Sequence, residues 1–588
     1  MPHTSIFKKE LSVSSIAYFL LGVTLAFGLI RVINLGLNRV FVLDEFYYAH
    51  QSWLASWSGH GISELIFKGE HFMTALAYLP FTVMAANDPG NLIFLRVGSL
   101  AFLLLGVAFS SSVACKMNPT FKVSAVICPI LLLSMGHFLK FGSQIRPDMI
   151  ALSLFLLTLV FLLNQSYHSR LSSSLAAIAL MVAVLVSAKA AVYGASLGLV
   201  FIYEILFRKK DNDELFKYPC SFFFTSLGGV FLFVSLLLMS GQMDTFWQGK
   251  VQTTLDHQKH YPKIDPASFI KLFLEQDFLV VRLSFLGIFL YVYQNIKEFM
   301  ASRKMPSGIS LVLVFACIGA WLSFFLQKAP YPYSLLPAIV FSAIFATHSL
   351  CFLIQKLPPK FSHHPRVVVP AVIVFCALAV LDIYRKSDID RYNHRQLEIL
   401  SSIGQLTDVD DTVYDMSSSF VFRPHAHHLL IMDRFRINLY KDQVIRELPQ
   451  VLKDRETALF IYDVRFNKNF KETELGDFIR NHYVKYNNDI WVWGKKFPSE
   501  VNPSSAQSSR FHAIKKGKYF IHSVSGKSEN IKIDGKIVKE SLVHLEKGEH
   551  QIQYGESSEF YLIWLPRNEI PFEPDREAPP ASLAWFVL

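Results

Sequence analysis

The sequence is poor in charge. Asp, Glu, Lys and Arg make up only 18% of its 588 residues, against 52% hydrophobic residues that include 52 phenylalanines, and the mean hydropathy is +0.32. A soluble fold has no interior that hides so much apolar surface, which excludes an ordinary soluble enzyme. Cysteine is scarce too. Cys115, Cys128, Cys220, Cys317, Cys351 and Cys376 all lie in apolar runs or beside their ends, and none of the six follows residue 376, so no disulfide framework is implied. A small-x-small cleavage site is also missing after the first apolar run, at about 13–33, which Lys8 and Lys9 precede. That run has the length of a bilayer crossing and reads as an uncleaved first span.

What the chain does have is a series of such runs. They fall at about 13–33, 92–113, 123–140, 148–164, 172–189, 190–207, 221–240, 277–295, 308–326, 333–354 and 367–384. This predicts a polytopic α-helical membrane protein of about eleven spans, with a range of eleven to thirteen. A further apolar piece at 72–86 is short for a crossing and reads as re-entrant or interfacial. The net charge of +10 does not call for nucleic acid, because Lys and Arg collect in connections at 116–122, 164–170, 208–210, 297–304 and 356–366. The positive-inside rule then places those connections in the cytoplasm, and everything after 385 outside.

The outer side is thereby left with Asp44, Glu45, Glu70, His71, Arg96, Arg146, Asp148, Lys189, Asp244, Lys250, His257, His260 and Lys328. Ionisable groups near spans face water, a partner or a substrate, and acids and bases gathered on one leaflet point to a site. Within the first outer loop, Phe46, Ala49, Trp53, Leu54 and Trp57 recur at helical spacing, which predicts a helix on the membrane surface. Asp44 stands where it either caps that helix or does chemistry, and the residues alone leave both readings open.

Asp44-Glu45 after a first span is followed by Phe94-Leu95-Arg96-Val97-Gly98-Ser99-Leu100 and by Arg146-Pro147-Asp148 opening an apolar run. Ser187-Ala188-Lys189 and Lys328-Ala329-Pro330-Tyr331-Pro332-Tyr333 come next. In order and spacing, over about residues 10–385, these segments resemble the GT-C superfamily of membrane glycosyltransferases. The similarity is to the bacterial branch related to protein O-mannosyltransferases and the lipid A aminoarabinose transferase. One segment departs from the family's pattern: where a Lys-Pro-Pro-Leu-like string is usual, this chain reads Lys68-Gly69-Glu70-His71-Phe72-Met73-Thr74.

The resemblance implies transfer of a sugar from a polyprenyl-phosphate donor to a glycan, glycolipid or protein acceptor at the periplasmic face of a bacterial inner membrane. In an inverting displacement a carboxylate takes the acceptor's proton, while cations hold the phosphate as its charge develops. Carried over residue by residue, Asp44 is the base and Glu45 its helper. Arg146, Lys189, Lys328 and Arg96 are the phosphate-binding candidates, and Asp148, Glu70, His71, Tyr331, Tyr333, His257 and His260 the substrate-binding ones. Each has a plainer reading. Arg146 and Asp148 pair at a helix start, Lys189 snorkels at an interface, and Lys328 is a loop lysine. No metal site is predicted, since His257 and His260 lack a clear third ligand; the family leaves a divalent cation open as cofactor.

The outer loop at 241–276 interleaves polar residues with Trp247 and Tyr261, as a lid over a sugar would. Three domains are expected: a catalytic membrane domain over 1–385, a periplasmic α/β module over 386–500 and a β-sandwich-like module over 501–588, in which Asp534-Gly535 marks a hairpin. The alternative function is a transporter or flippase of a charged lipid or glycan. That reading asks for charges along a mid-membrane path or an internal repeat, and the chain shows neither clearly.

Overall fold

Among the described residues every expected apolar run is helical, and the one at 123–140 is broken into two helices. The computed structural model describes residues 13–57, 72–163, 170–207, 213–247, 252, 264–302, 308–328, 330–356, 358, 365–417, 419–427, 434–497, 508–524, 531–555, 559–567 and 572–574. Among them, six helices are long and apolar enough to cross a membrane: Ser15–Asn38, Pro89–Met117, Ser221–Met239, Phe278–Ala301, Pro332–Lys356 and Val367–Lys386. Ser124–Leu133 and Gly136–Gly142 form one further run, bent by 77°. The shorter apolar helices Pro147–Leu162, Leu171–Val186, Ala190–Val200 and Leu311–Phe325 account for the remaining expected runs, and Phe72–Met84 is the short extra piece.

The chain divides into two compact units. The first comprises Met1–Arg39, Gly59–Ala77 and Arg96–Asp390. Its centre is the Leu336–Lys356 helix, buried along most of its length, with Phe278–Ser302, Ser124–Leu133 and Gly308–Phe325 packed around it. Gly287 permits the closest of these approaches, because a Cβ there would stand 1.9 Å from the Phe345 carbonyl oxygen. Outward side chains such as Phe231, Leu238, Phe289 and Leu378 are exposed, the kind of surface a bilayer covers.

The bend between Ser124–Leu133 and Gly136–Gly142 frees backbone groups that apolar surroundings would penalise. Lys386 Nζ donates to the Ser134 carbonyl at 3.0 Å, and Asp277 Oδ1 accepts from Gly136 N at 3.2 Å. The two side chains pair at 2.9 Å, and His137 Nδ1 lies 3.5 Å from Asp277 Oδ2. A buried ion pair therefore stitches both halves of the bend.

The second unit comprises Val40–Ser58, Tyr78–Leu95 and Arg391–Leu588. Its strands are β1 (Val413–Tyr414), β2 (Leu459–Ile461), β3 (Tyr483–Lys485), β4 (Ile490–Phe497), β5 (Ser508–Ala513), β6 (Gly517–Ser523), β7 (Lys532–Ile533), β8 (Lys536–Ile537), β9 (Leu542–Leu545), β10 (Gly548–Gln553) and β11 (Phe560–Trp564). They form a seven-stranded sheet in the order β1-β2-β4-β11-β6-β9, with β3 also on β4, and a four-stranded sheet β5-β10-β7-β8. Only β1 and β2 run parallel within these pairings. Because β4 pairs with β11, one sheet continues from the α/β part into the β-sandwich-like part. The predicted hairpin joins β7 to β8, with Asp534 at φ 51° and Gly535 at φ 77°, the left-handed pair that a two-residue hairpin needs.

Candidate functional site

The first group of site residues belongs to the first unit. Arg146 is extended, with φ −152° and ψ 154°, as the residue before a proline prefers, and Pro147 opens the Pro147–Leu162 helix. Asp148 falls in that helix's first turn, where the macrodipole favours a carboxylate. It accepts from Arg146 Nε at 3.1 Å and from Lys189 Nζ at 2.8 Å. Lys189 comes from the short break between the Arg170–Val186 and Ala190–Phe207 helices, with only 28% of its side chain exposed.

An aromatic floor completes this cradle. Arg146 Cζ lies 3.4 Å and Lys189 Nζ 4.6 Å from the centre of the Tyr333 ring, and Tyr331 stacks on Tyr333 at 5.4 Å with 12° between planes. Lys189 also donates to Ser334 Oγ at 3.1 Å, and Ser334 in turn donates to Gln327 Oε1 at 2.9 Å. One carboxylate thus holds two cations, a buried guanidinium and a partly exposed ammonium, at a place where charge-assisted hydrogen bonds are stronger than in open water.

Pairing and clustering thus coexist. Arg146 and Asp148 are partners at a helix start, and the same contact orients Arg146 over Tyr333. Ser334 and Gln327 were not anticipated; their signal was adjacency to the Lys328–Tyr333 segment. Lys328 is exposed on that connection, and its carbonyl accepts from Ile264 N at 3.1 Å. Arg96 is wholly buried and donates to the Gly36 and Arg39 carbonyls at 2.8 and 2.6 Å. Those bonds close the C-terminal end of the Val13–Asn38 helix, where a cation is favoured. Glu70, His71, His257 and His260 lie outside the described residues.

Asp44 and Glu45 belong to the second unit, in the first turn of the Leu43–Trp57 helix. The cap is made by Glu45 rather than Asp44. Glu45 Oε2 accepts from Val42 N at 2.9 Å, the glutamate half of a capping box, while Glu45 N donates to the Val42 carbonyl at 3.0 Å in the first turn. Glu45 is fully buried and Asp44 only partly so. Further along, His50 is buried against Trp53 and Phe420, at 5.5 and 4.8 Å between ring centres. Burial, with His425 nearby, pushes its imidazole down to about 3, so it is neutral at ordinary pH.

A further acid pair lies after β1 and β2. Asp415 accepts from Ser417 N and Ser419 N, and Asp463 from Ser417 Oγ at 2.5 Å. Burial and the neighbouring Asp463 raise Asp415 to about 7, and burial raises Asp463 as well. Among the described residues no three His, Cys, Asp or Glu side chains come together as a metal ion would need.

Span-length apolar helices followed by a sheet-bearing part define a polytopic helical membrane protein, and its fold is one that solved membrane proteins share. Among solved structures, ArnT from Cupriavidus metallidurans in the apo state matches with a TM-score of 0.53 and 14% identity, over 81% of this chain and 97% of that one. ArnT bound to undecaprenyl phosphate matches at 0.50 and 13%, with 81% and 97% covered. The archaeal oligosaccharyltransferase AglB from Archaeoglobus fulgidus, in complex with an inhibitory peptide and a dolichol-phosphate, matches at 0.50 and 11%, over 82% and 74%. No family model and no curated protein matches the sequence, so the likeness is one of fold.

Proposed function

We propose that the chain is a membrane glycosyltransferase that takes a sugar from a polyprenyl-phosphate donor and passes it to a glycan, glycolipid or protein at the periplasmic face of a bacterial inner membrane. The observation that carries this reading is the cradle of Arg146 and Lys189, fixed by Asp148 over Tyr333. It suits an anion carried on a lipid, and the ArnT and AglB structures of the same fold hold undecaprenyl phosphate and a dolichol-phosphate.

In the proposed step the acceptor's nucleophilic atom bonds to the anomeric carbon as the bond from that carbon to the phosphate oxygen breaks. The phosphate leaves with one more negative charge than it had as a diester. Arg146 and Lys189 offset that charge, which forms in the transition state and so accelerates the reaction rather than merely tightening binding. Asp44 receives the proton from the acceptor, and the displacement inverts the sugar's configuration.

The test uses the full-length protein in lipid nanodiscs with undecaprenyl phosphate as probe. Replacing Lys189 by Ala removes a charge-assisted contact and is expected to weaken binding about 10- to 100-fold. Asp44→Asn is expected to bind the probe as the wild type does and to lose turnover on a panel of undecaprenyl-phosphate sugars. Unaltered affinity in Lys189→Ala removes the cradle from the mechanism, and full turnover in Asp44→Asn removes the base.

A further inference from the structure

The segment that leads into the Leu43–Trp57 helix has almost no slack. Val40 N donates to the Arg391 carbonyl at 3.0 Å. Phe41 is gripped in both directions by one side chain: Gln396 Oε1 accepts from Phe41 N at 2.6 Å, and Gln396 Nε2 donates to Phe41 O at 3.0 Å. Val42 N is taken by Glu45. Gln396, in the first turn of the His394–Leu406 helix, is 3% exposed, so water does not compete for these bonds. A carboxamide that pairs with both polar groups of one residue fixes that peptide much as a neighbouring strand would.

The rest of the helix is held independently. Ser52 Oγ and Thr82 Oγ1 are 2.7 Å apart, and Trp53 Nε1 donates to Asn87 Oδ1 at 3.0 Å. The Asn87 carbonyl accepts from Arg423 at 3.0 Å, while Phe420 lies edge-on to His50. Loss of the Gln396 bonds takes away both hydrogen bonds of the Phe41 peptide, next to the first turn that carries Asp44, and touches none of the contacts that seat the remainder.

We propose that Gln396 is a positioning residue for Asp44, through which the domain after residue 391 sets the direction of the proposed base. The inference rests on the reading of Asp44 as that base. Its effect falls on rate, since a displacement of about 1 Å at a reacting group costs about 100-fold. Donor affinity is spared, because Arg146 and Lys189 belong to the other unit.

The variant is Gln396→Leu, close in size and unable to make either bond, in full-length protein in nanodiscs. Hydrogen exchange is expected to quicken in peptides covering residues 40–47 and to stay at the wild-type rate in those covering 50–57. The turnover rate on a donor from the undecaprenyl-phosphate sugar panel is expected to fall at least about 10-fold, with the Kd for undecaprenyl phosphate within about twofold of wild type. Unchanged exchange at 40–47 overturns the proposal. So does unchanged turnover in a protein that Asp44→Asn inactivates, and so does a loss of probe affinity in step with the loss of rate. If Asp44→Asn proves fully active, the reading of the base fails instead, and the exchange data still decide whether Gln396 holds the turn.

Discussion

At the scale of single residues, neighbouring carboxylates have been given different work by their surroundings. Glu45 is buried and spent on the helix start, whereas Asp44, one position earlier, is partly open. The pair was legible in the sequence and the division was not, because a one-residue difference in where a helix begins decides which acid reaches back to the cap. Arg146, Asp148, Lys189 and Tyr333 were legible as separate signals; that one carboxylate holds both cations depends on distances no spacing encodes. His50 gave no signal beyond its place on an apolar face. It yields a pH prediction nonetheless. Its folded imidazole titrates at about 3, against 6.5 in the unfolded chain, so between those values the unfolded chain binds more protons. Stability from this group is complete above pH 6.5 and is lost as pH falls toward 3, by up to about 1.4 kcal/mol per pH unit. His50→Phe keeps the ring contacts and is expected to flatten that part of the melting-temperature profile between pH 6.5 and pH 4.5. Asp415, raised to about 7, contributes the opposite slope: its stability is present below 3.8 and is lost as pH rises through 7.

At the scale of elements, the helices were read well because length and hydropathy set them directly. The bend after Leu133 was not, since the run at 123–140 is continuous in apolar character and Pro129 lies inside its first half. What keeps the bend is the Asp277–Lys386 pair, one from the turn between the Pro266–Gln276 and Phe278–Ser302 helices and the other from the end of the Pro365–Lys386 helix, with no mark of their partnership in sequence. Removing Asp277 takes from Lys386 its buried partner and leaves it the half-exposed Asp382 at 3.2 Å, and removing Lys386 leaves the buried Asp277 beside His137. Asp277→Ala is expected to cost about 3–5 kcal/mol, read as a lower melting temperature in detergent, and the double variant Asp277→Asn with Lys386→Met is expected to be milder than Lys386→Met with Asp277 kept. Equal stability in all three would mean that the bend is held by packing alone. The gap between Gly142 and Arg146 is short, so whatever holds the bend also sets where the cradle's first cation begins.

At the scale of the whole molecule, the sequence showed strands, turns and a sandwich-like character, but not that β11 closes the sheet between β4 and β6. Strand pairing across some sixty positions follows from which buried faces complement each other, and alternation along a single strand is silent about that. Leu562, fully buried in β11, is the place to test the consequence. Leu562→Asp puts a charge into the join, and limited proteolysis is expected to open both the region after 391 and the 40–58 segment, which belong to one unit, while the spans stay protected. Cleavage confined to the region after 391 would show the segment to be held from elsewhere. The Gln396 grip on Phe41 also has a meaning in time. Its two ends are separated by 355 positions, so at about 5–20 residues per second a ribosome needs roughly 20–70 s to deliver the second after the first. For all that interval the membrane part is being made while the turn that carries Asp44 waits without this grip, and the two ends meet only once roughly two-thirds of the chain has been synthesised.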